Sequence, residues 1–150
     1  MKKKRTYNNG DILIATIAPP ASGLLFHKGI VYNIEDENGF PVPHVFHNTP
    51  MKLNKYGGTV ILETLEQFEA DGREVVAVEP SGVDIQVIIK KNSVLKKRKF
   101  DWSDFNCEHY VTFVTEGRMK SIQMHKYVFI TAVGVATFFF VRFIRKVNSK

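Results

Sequence analysis

Between Tyr127 and Val141 no residue carries a charge, and every one is apolar, small or threonine. Backbone amides in hydrocarbon must find partners within their own segment, so such a run can enter a bilayer only as a helix. Counted on across Arg142 to Ile144 it holds 18 residues, near the lower end of the roughly 17–25 that span a bilayer. Lys126 precedes it and Arg145, Lys146 and Lys150 follow. Arg142, close to the end, can carry its charge to the headgroups on its apolar stem. A core helix of a small domain shows a polar face, and this run has none. The sequence therefore predicts a membrane-anchor helix over 127–144 with a basic tail over 145–150. Lysine and arginine lie on both sides, so charge bias does not orient it.

The remaining length suits one domain. The first ten residues are charged and polar with no apolar run behind them, so no signal peptide is expected. Residues 1–9 read as a basic, flexible arm. The net charge of +6 is concentrated in Lys2-Lys3-Lys4-Arg5 and Lys96-Lys97-Arg98-Lys99. Such clusters suit anionic partners, phospholipid headgroups or nucleic acid, or serve as a solvated face.

Strand patterns come first. Gly10–Thr16, Leu24–Asn33, Val42–His47 and Glu74–Val78 read as strands, with a Pro19–Gly23 loop after the first and an Asn38-Gly39 hairpin between the second and third. Thr64 is placed to cap a short helix over Leu65–Ala70. Val83–Leu95 carries helical spacing, and Cys107–Glu116 reads as a helix stopped by Gly117. The expected fold is α+β, an antiparallel sheet with packed helices and a C-terminal hydrophobic helix.

Cys107 is the only cysteine, which excludes an intramolecular disulfide and any multi-thiolate zinc site. With no second cysteine and no His-x-x-x-His on a helix, no metal site is expected. A lone cysteine is commonly a small buried hydrophobe. At a helix start, however, the dipole and the unpaired N–H groups favour a thiolate and could hold an oxyanion. Ser103, Asp104 and Asn106 are the candidate caps. Of the five histidines, His27 lies early in the second strand and His47 ends the third. Paired across the hairpin, the two can share a face, one as base and the other orienting it. His44 and His47, three apart in a strand, point to opposite faces, so only one of them can join His27. His109 falls on the far side of the helix from the thiol, a packing position, and His125 precedes the apolar run.

Asn106-Cys107-Glu108-His109-Tyr110-Val111 resembles the Asn-Cys-Glu-His-Phe-Val block of the lecithin:retinol acyltransferase family, which includes the H-Ras-like suppressor phospholipases and acyltransferases. Gly10-Asp11-Ile12-Leu13-Ile14 is similar to the Gly-Asp-Leu-Ile strand opening that domain. His27-Lys28-Gly29-Ile30-Val31-Tyr32 resembles its histidine strand, and Val45-Phe46-His47-Asn48-Thr49-Pro50 its second histidine segment. The resemblance implies a permuted papain-like core of the NlpC type over 10–120. It implies Cys107 as an acylated nucleophile, His27 as its base and His47 as the orienting third member. The Cys107 N–H, with Asn106 in support, would contribute to an oxyanion hole.

The chain departs from the family's pattern at Lys28, where tryptophan is usual, at Phe100, where tyrosine is common, and at Tyr110. It also lacks the Arg-Ala pair before the cysteine.

The expectation is a membrane-anchored thiol acyltransferase or phospholipase A acting on glycerophospholipid esters, without a cofactor. Its partner would be membrane phospholipid, met by Lys96, Lys97, Arg98 and Lys99, rather than nucleic acid. A working thiol favours a reducing compartment, so the domain is expected on the cytoplasmic side. Two other readings use the same residues: a thiol peptidase or amidase, and a non-catalytic membrane adaptor that keeps the fold.

Overall fold

The computed structural model describes residues 6–16, 26–50, 58–70, 73–95 and 97–147. The cluster Lys2–Arg5, the Pro19–Gly23 loop and Lys96 lie outside the described residues. Contacts divide the chain into two compact units, Met1–Lys120 and Ser121–Lys150.

In the first unit five strands form an antiparallel sheet: β1 (Ile12–Thr16), β2 (Phe26–Glu35), β3 (Pro41–Asn48), β4 (Val60–Thr64) and β5 (Val75–Glu79), in the order β4-β3-β2-β1-β5. The β2–β3 hairpin turns at Gly39, whose φ of 78° is the left-handed conformation an Asn-Gly turn supplies. β4 was not anticipated. Its five residues end at Thr64, and Thr64 also caps the next helix, so the strand runs directly into α1 (Leu65–Phe68). The Thr64 hydroxyl accepts from the Gln67 N–H while the Gln67 side chain accepts from the Thr64 N–H, a reciprocal cap. The helical patterns further on become α2 (Ile85–Leu95) and α3 (Cys107–Glu116), the latter with the predicted bounds.

Alternation along the strands sorts the interior into two layers. Ile30, with Ile12, Phe46 and Val60 beside it, packs against Ile88 and Leu95 of α2 and Tyr110, Val111 and Val114 of α3. Leu13, Ala15, Val31, Val45 and Val75 pack on the other side around Phe68 of α1. Each fully buried aliphatic or aromatic side chain contributes about 1.5–3 kcal/mol, so both faces of the sheet are committed to core. Gly29 is required where the second layer is tightest. A Cβ there would meet Val45 Cγ1 at 2.4 Å and Phe68 Cε2 at 3.2 Å.

The second unit is α4 (Ile122–Val147), a continuous helix of 26 residues that begins ahead of the predicted apolar run. Its segment Ile122–Arg145 is long and apolar enough to cross a membrane, with a mean hydropathy of 2.0. Large apolar side chains along it, among them Val128, Phe129, Ile130, Phe138, Phe139, Phe140 and Phe143, are exposed.

Candidate active site

α3 starts where the sequence places a cap. Asn106 is extended, with φ −89° and ψ −176°, and its Oδ1 accepts from the N–H groups of Glu108 (2.9 Å) and His109 (3.1 Å). The Asn106 N–H donates back to Nδ1 of His109 at 3.3 Å, and its Nδ2 donates to the Trp102 carbonyl at 3.1 Å. The turn ahead of it is held by Asp101, whose Oδ1 accepts from the Ser103 N–H and hydroxyl and from the Asp104 N–H. The Ser103 bonds, then that of Asp104, keep the Asp101 carboxyl below its usual range. The Asn106 side chain is therefore a cap, and His109 completes it. Of the first N–H groups of α3, two are taken by Asn106. The N–H of Cys107 has no acceptor among the described residues.

The Cys107 thiol donates to the carbonyl of Phe26 at 3.8 Å. The strand register explains this partner. Val31 exchanges backbone hydrogen bonds with Gly10 and Asp11, so alternate residues of β2, down to His27, turn their backbone polar groups toward β1. Phe26 and Lys28 turn theirs the other way, toward β3, whose pairing with β2 ends at Gly29–His47. The sulfur thus sits just past the end of the β2–β3 pairing, against the carbonyl that precedes His27 and the N–H that follows it. Lys28 reinforces the contact through its side chain, with Nζ 3.1 Å from Oε1 of Glu108, a carboxylate that is only 4% exposed. This ion pair ties β2 to α3 beside both candidate residues, and no sequence motif pointed to it.

His27 and His47 lie on the layer that holds Phe68. Their rings meet edge to face with centroids 4.9 Å apart, and Nε2 of His27 is 2.8 Å from Nδ1 of His47. His27 stacks on Phe68 (5.3 Å, 28° between planes), and His47 meets Phe68 edge-on at 5.1 Å. Nε2 of His47 is 3.0 Å from Oε2 of Glu63 on β4. Arg73 reaches over Phe68, with Cζ 5.5 Å from the ring centre. His44 faces elsewhere, paired in register with Tyr32 and Thr64, and its Nδ1 lies 3.0 Å from the Val42 carbonyl. The choice between His44 and His47 falls to His47.

The electrostatics depart from the thiolate expectation. Burial pushes the Cys107 thiol up to about 11, and the Glu108 carboxylate adds to the rise, while the Lys28 N–H and ammonium oppose it. The N–H of Glu108 at the helix start also pulls the thiol down, but burial outweighs it. At neutral pH the protonated thiol then predominates. His27 is held well below its usual range by burial, then by the neighbouring His47 and Arg73. His47 is lowered by burial, against the opposing pull of Glu63. Both rings are neutral at pH 7, and the proton rests on sulfur. Among the described residues no hydrogen bond joins the thiol to either ring. The sulfur and His27 are neighbours through the peptide groups that flank His27.

Of the basic cluster, Lys97, Arg98 and Lys99 are described. Arg98 pairs with Asp104 at 2.7 Å and lies over the Phe105 ring at 4.7 Å. Comparison of the chain with protein-family models, curated proteins and solved structures finds no match.

Proposed function

We propose that this chain is a membrane-anchored thiol acyltransferase or phospholipase A with a permuted papain-like core, in which Cys107 carries the acyl group and His27 moves the proton. The observation that carries the reading is the neutral, hydrogen-bonded pair His27–His47, with the lone thiol bound to the carbonyl next to His27. A ring with a depressed pKa is unprotonated at neutral pH and can accept a proton. A neutral thiol needs such a base during attack.

As the sulfur attacks the ester carbonyl carbon, its proton passes to His27. The carbonyl oxygen becomes an oxyanion facing the free N–H of Cys107. Collapse breaks the ester C–O bond, and the lysophospholipid oxygen leaves with the proton from His27. Water, an alcohol or an amine then attacks the thioester, giving its proton to His27. The sulfur leaves as thiolate and recovers that proton. The His27 ring and the sulfur must close on each other for the first transfer, which requires the thiol to leave the Phe26 carbonyl when substrate arrives.

α4 supports a lipid substrate, because a single-pass anchor holds the domain beside the bilayer. Lys97, Arg98 and Lys99 would meet anionic headgroups at about 1 kcal/mol per residue. On this reading the domain would face the cytoplasm, where a free thiol stays reduced.

The test is incubation of the full-length protein with phosphatidylcholine vesicles, followed by intact mass. An acyl adduct that is absent from Cys107→Ala, with release of fatty acid, supports the reading. Folded protein with neither adduct nor fatty acid overturns it. That outcome would favour the membrane-adaptor reading, for which the raised pKa of the thiol and its bond to Phe26 are the specific observations. Acylation by peptide or amide donors but not by phospholipid would favour the peptidase reading.

A further inference from the structure

A two-histidine pair has a directional ambiguity. In neutral imidazole one nitrogen donates and the other accepts, so a chain of two rings can be polarised either way. In one sense Nε2–H of His27 donates to Nδ1 of His47, and Nδ1 of His27 is left bare. In the other, Nδ1–H of His47 donates to Nε2 of His27, the His27 proton moves to Nδ1, and the base is lost. Nothing within the pair chooses.

Glu63 chooses. Its Oε2 lies 3.0 Å from Nε2 of His47, and an ionised carboxylate only accepts. The proton of neutral His47 must then sit on Nε2. Nδ1 of His47 becomes the acceptor, 2.8 Å from Nε2 of His27. That nitrogen must donate, and Nδ1 of His27 carries the free lone pair. We infer that Glu63 is the positioning residue that sets the direction of the His27–His47 chain and leaves His27 able to take the thiol proton at Nδ1. The inference rests on the proposed acyl-transfer reading for its purpose, but the tautomers it specifies can be read without turnover.

Among the described residues, the charged and titratable groups facing His47 are His27 from β2, Glu63 from β4, and Arg73 ahead of β5. Only Glu63 favours protonation of the pair; burial and Arg73 oppose it. Removing the carboxylate therefore lowers the pH at which the pair takes up a proton.

The experiment uses full-length protein, ¹⁵N-labelled on histidine, in dodecyl maltoside micelles, a detergent with no acyl ester. Long-range proton–nitrogen spectra at pH 7.5 identify which ring nitrogens carry hydrogen. The expected result is Nε2–H with bare Nδ1 on both His27 and His47. In Glu63→Ala the two rings should show mixed tautomers. Glu63→Gln, whose carbonyl oxygen can still accept from His47, should keep the wild-type pattern.

In acylation assays with phosphatidylcholine, Glu63→Ala should lose roughly tenfold or more in kcat with KM little changed. The acid limb of its pH profile should move to lower pH, and Glu63→Gln should recover most of the rate. Hydrogen on Nδ1 of His27 in the wild type overturns the inference, as do identical tautomers in wild type and Glu63→Ala. The wild-type spectrum decides even if Glu63→Ala fails to fold. Correct tautomers without acylation would overturn the acyl-transfer reading alone.

Discussion

The thiol of Cys107 is hydrogen-bonded to the carbonyl of Phe26, the residue immediately before His27. This one contact joins the start of α3 to the edge of β2. It places the sulfur beside the backbone that flanks His27 and in an environment that keeps it protonated.

The first prediction concerns reactivity. Alkylation of Cys107 by iodoacetamide should be slow at pH 7.5 and should rise with pH toward a midpoint near 11. A raised thiol pKa means that the folded state holds the proton more tightly than the unfolded chain. Stability should therefore fall as pH rises from about 9 toward 11. Urea denaturation across that window should show the loss in wild type and a flatter profile in Cys107→Ser. A midpoint below 8 would contradict the half-buried, protonated thiol.

The two histidines titrate in the opposite part of the scale. Their folded pKa values are depressed by burial, so the unfolded state takes up protons first as pH falls. The stability present above about pH 6.5 should be lost progressively as pH drops through the lower folded values. His27→Gln should flatten that loss, as measured by denaturant titration at pH 7.5 and 5. Acylation by phosphatidylcholine should fall by about 10² or more in the same variant.

Lys28 and Glu108 form the ion pair beside the thiol, with Glu108 almost fully buried. Lys28→Met removes the ammonium 3.1 Å from that carboxylate and should destabilise the domain by about 1–3 kcal/mol. The double change Lys28→Met with Glu108→Leu should recover much of the loss. Equal stability of the single and double variants would show that the pair is not coupled.

Gly29→Ala drives a methyl group to 2.4 Å from Val45 Cγ1 and 3.2 Å from the Phe68 ring on which His27 stacks. The strand or Phe68 must shift, at about 1–3 kcal/mol. The midpoint of urea denaturation should fall accordingly. The acylation rate should fall further than the fraction of folded protein does, because the His27 ring moves with its support.

The proposed anchor can be tested apart from the proposed chemistry. Val133→Asp places a charge near the middle of the apolar segment Ile122–Arg145, which disfavours insertion by about 2.5–3.5 kcal/mol. Wild-type protein should stay with membranes after alkaline carbonate extraction, and the variant should partition to the supernatant. Retention of both in the membrane fraction would place the attachment elsewhere.

Several features of this protein are written in contiguous residues. Asn106, Cys107 and Gly117 mark both ends of α3 because a cap and a left-handed stop are local chemistry. The C-terminal helix follows from an unbroken apolar run. The shared face of His27 and His47 follows from strand alternation and a two-stranded turn.

What lay beyond reach depends on partners distant in the chain. β4 was missed because five residues between a glycine pair and a helix cap carry little pattern of their own; pairing with β3 makes them a strand. Lys28 meets Glu108 across a separation of 80 residues, and Cys107 meets Phe26 across 81. Glu63 comes to His47 only because β4 packs antiparallel beside β3.

Sequence alone determined the helix start that presents the sulfur, the strand positions of the two histidines and the apolar terminus. Each of these is set by backbone geometry and side-chain period within a few residues. The tertiary structure alone decided that burial raises the Cys107 thiol, that a carboxylate lies against the histidine pair, and that the thiol rests on a strand carbonyl. Desolvation and hydrogen-bond direction depend on which distant groups surround an atom, and only folding brings them there.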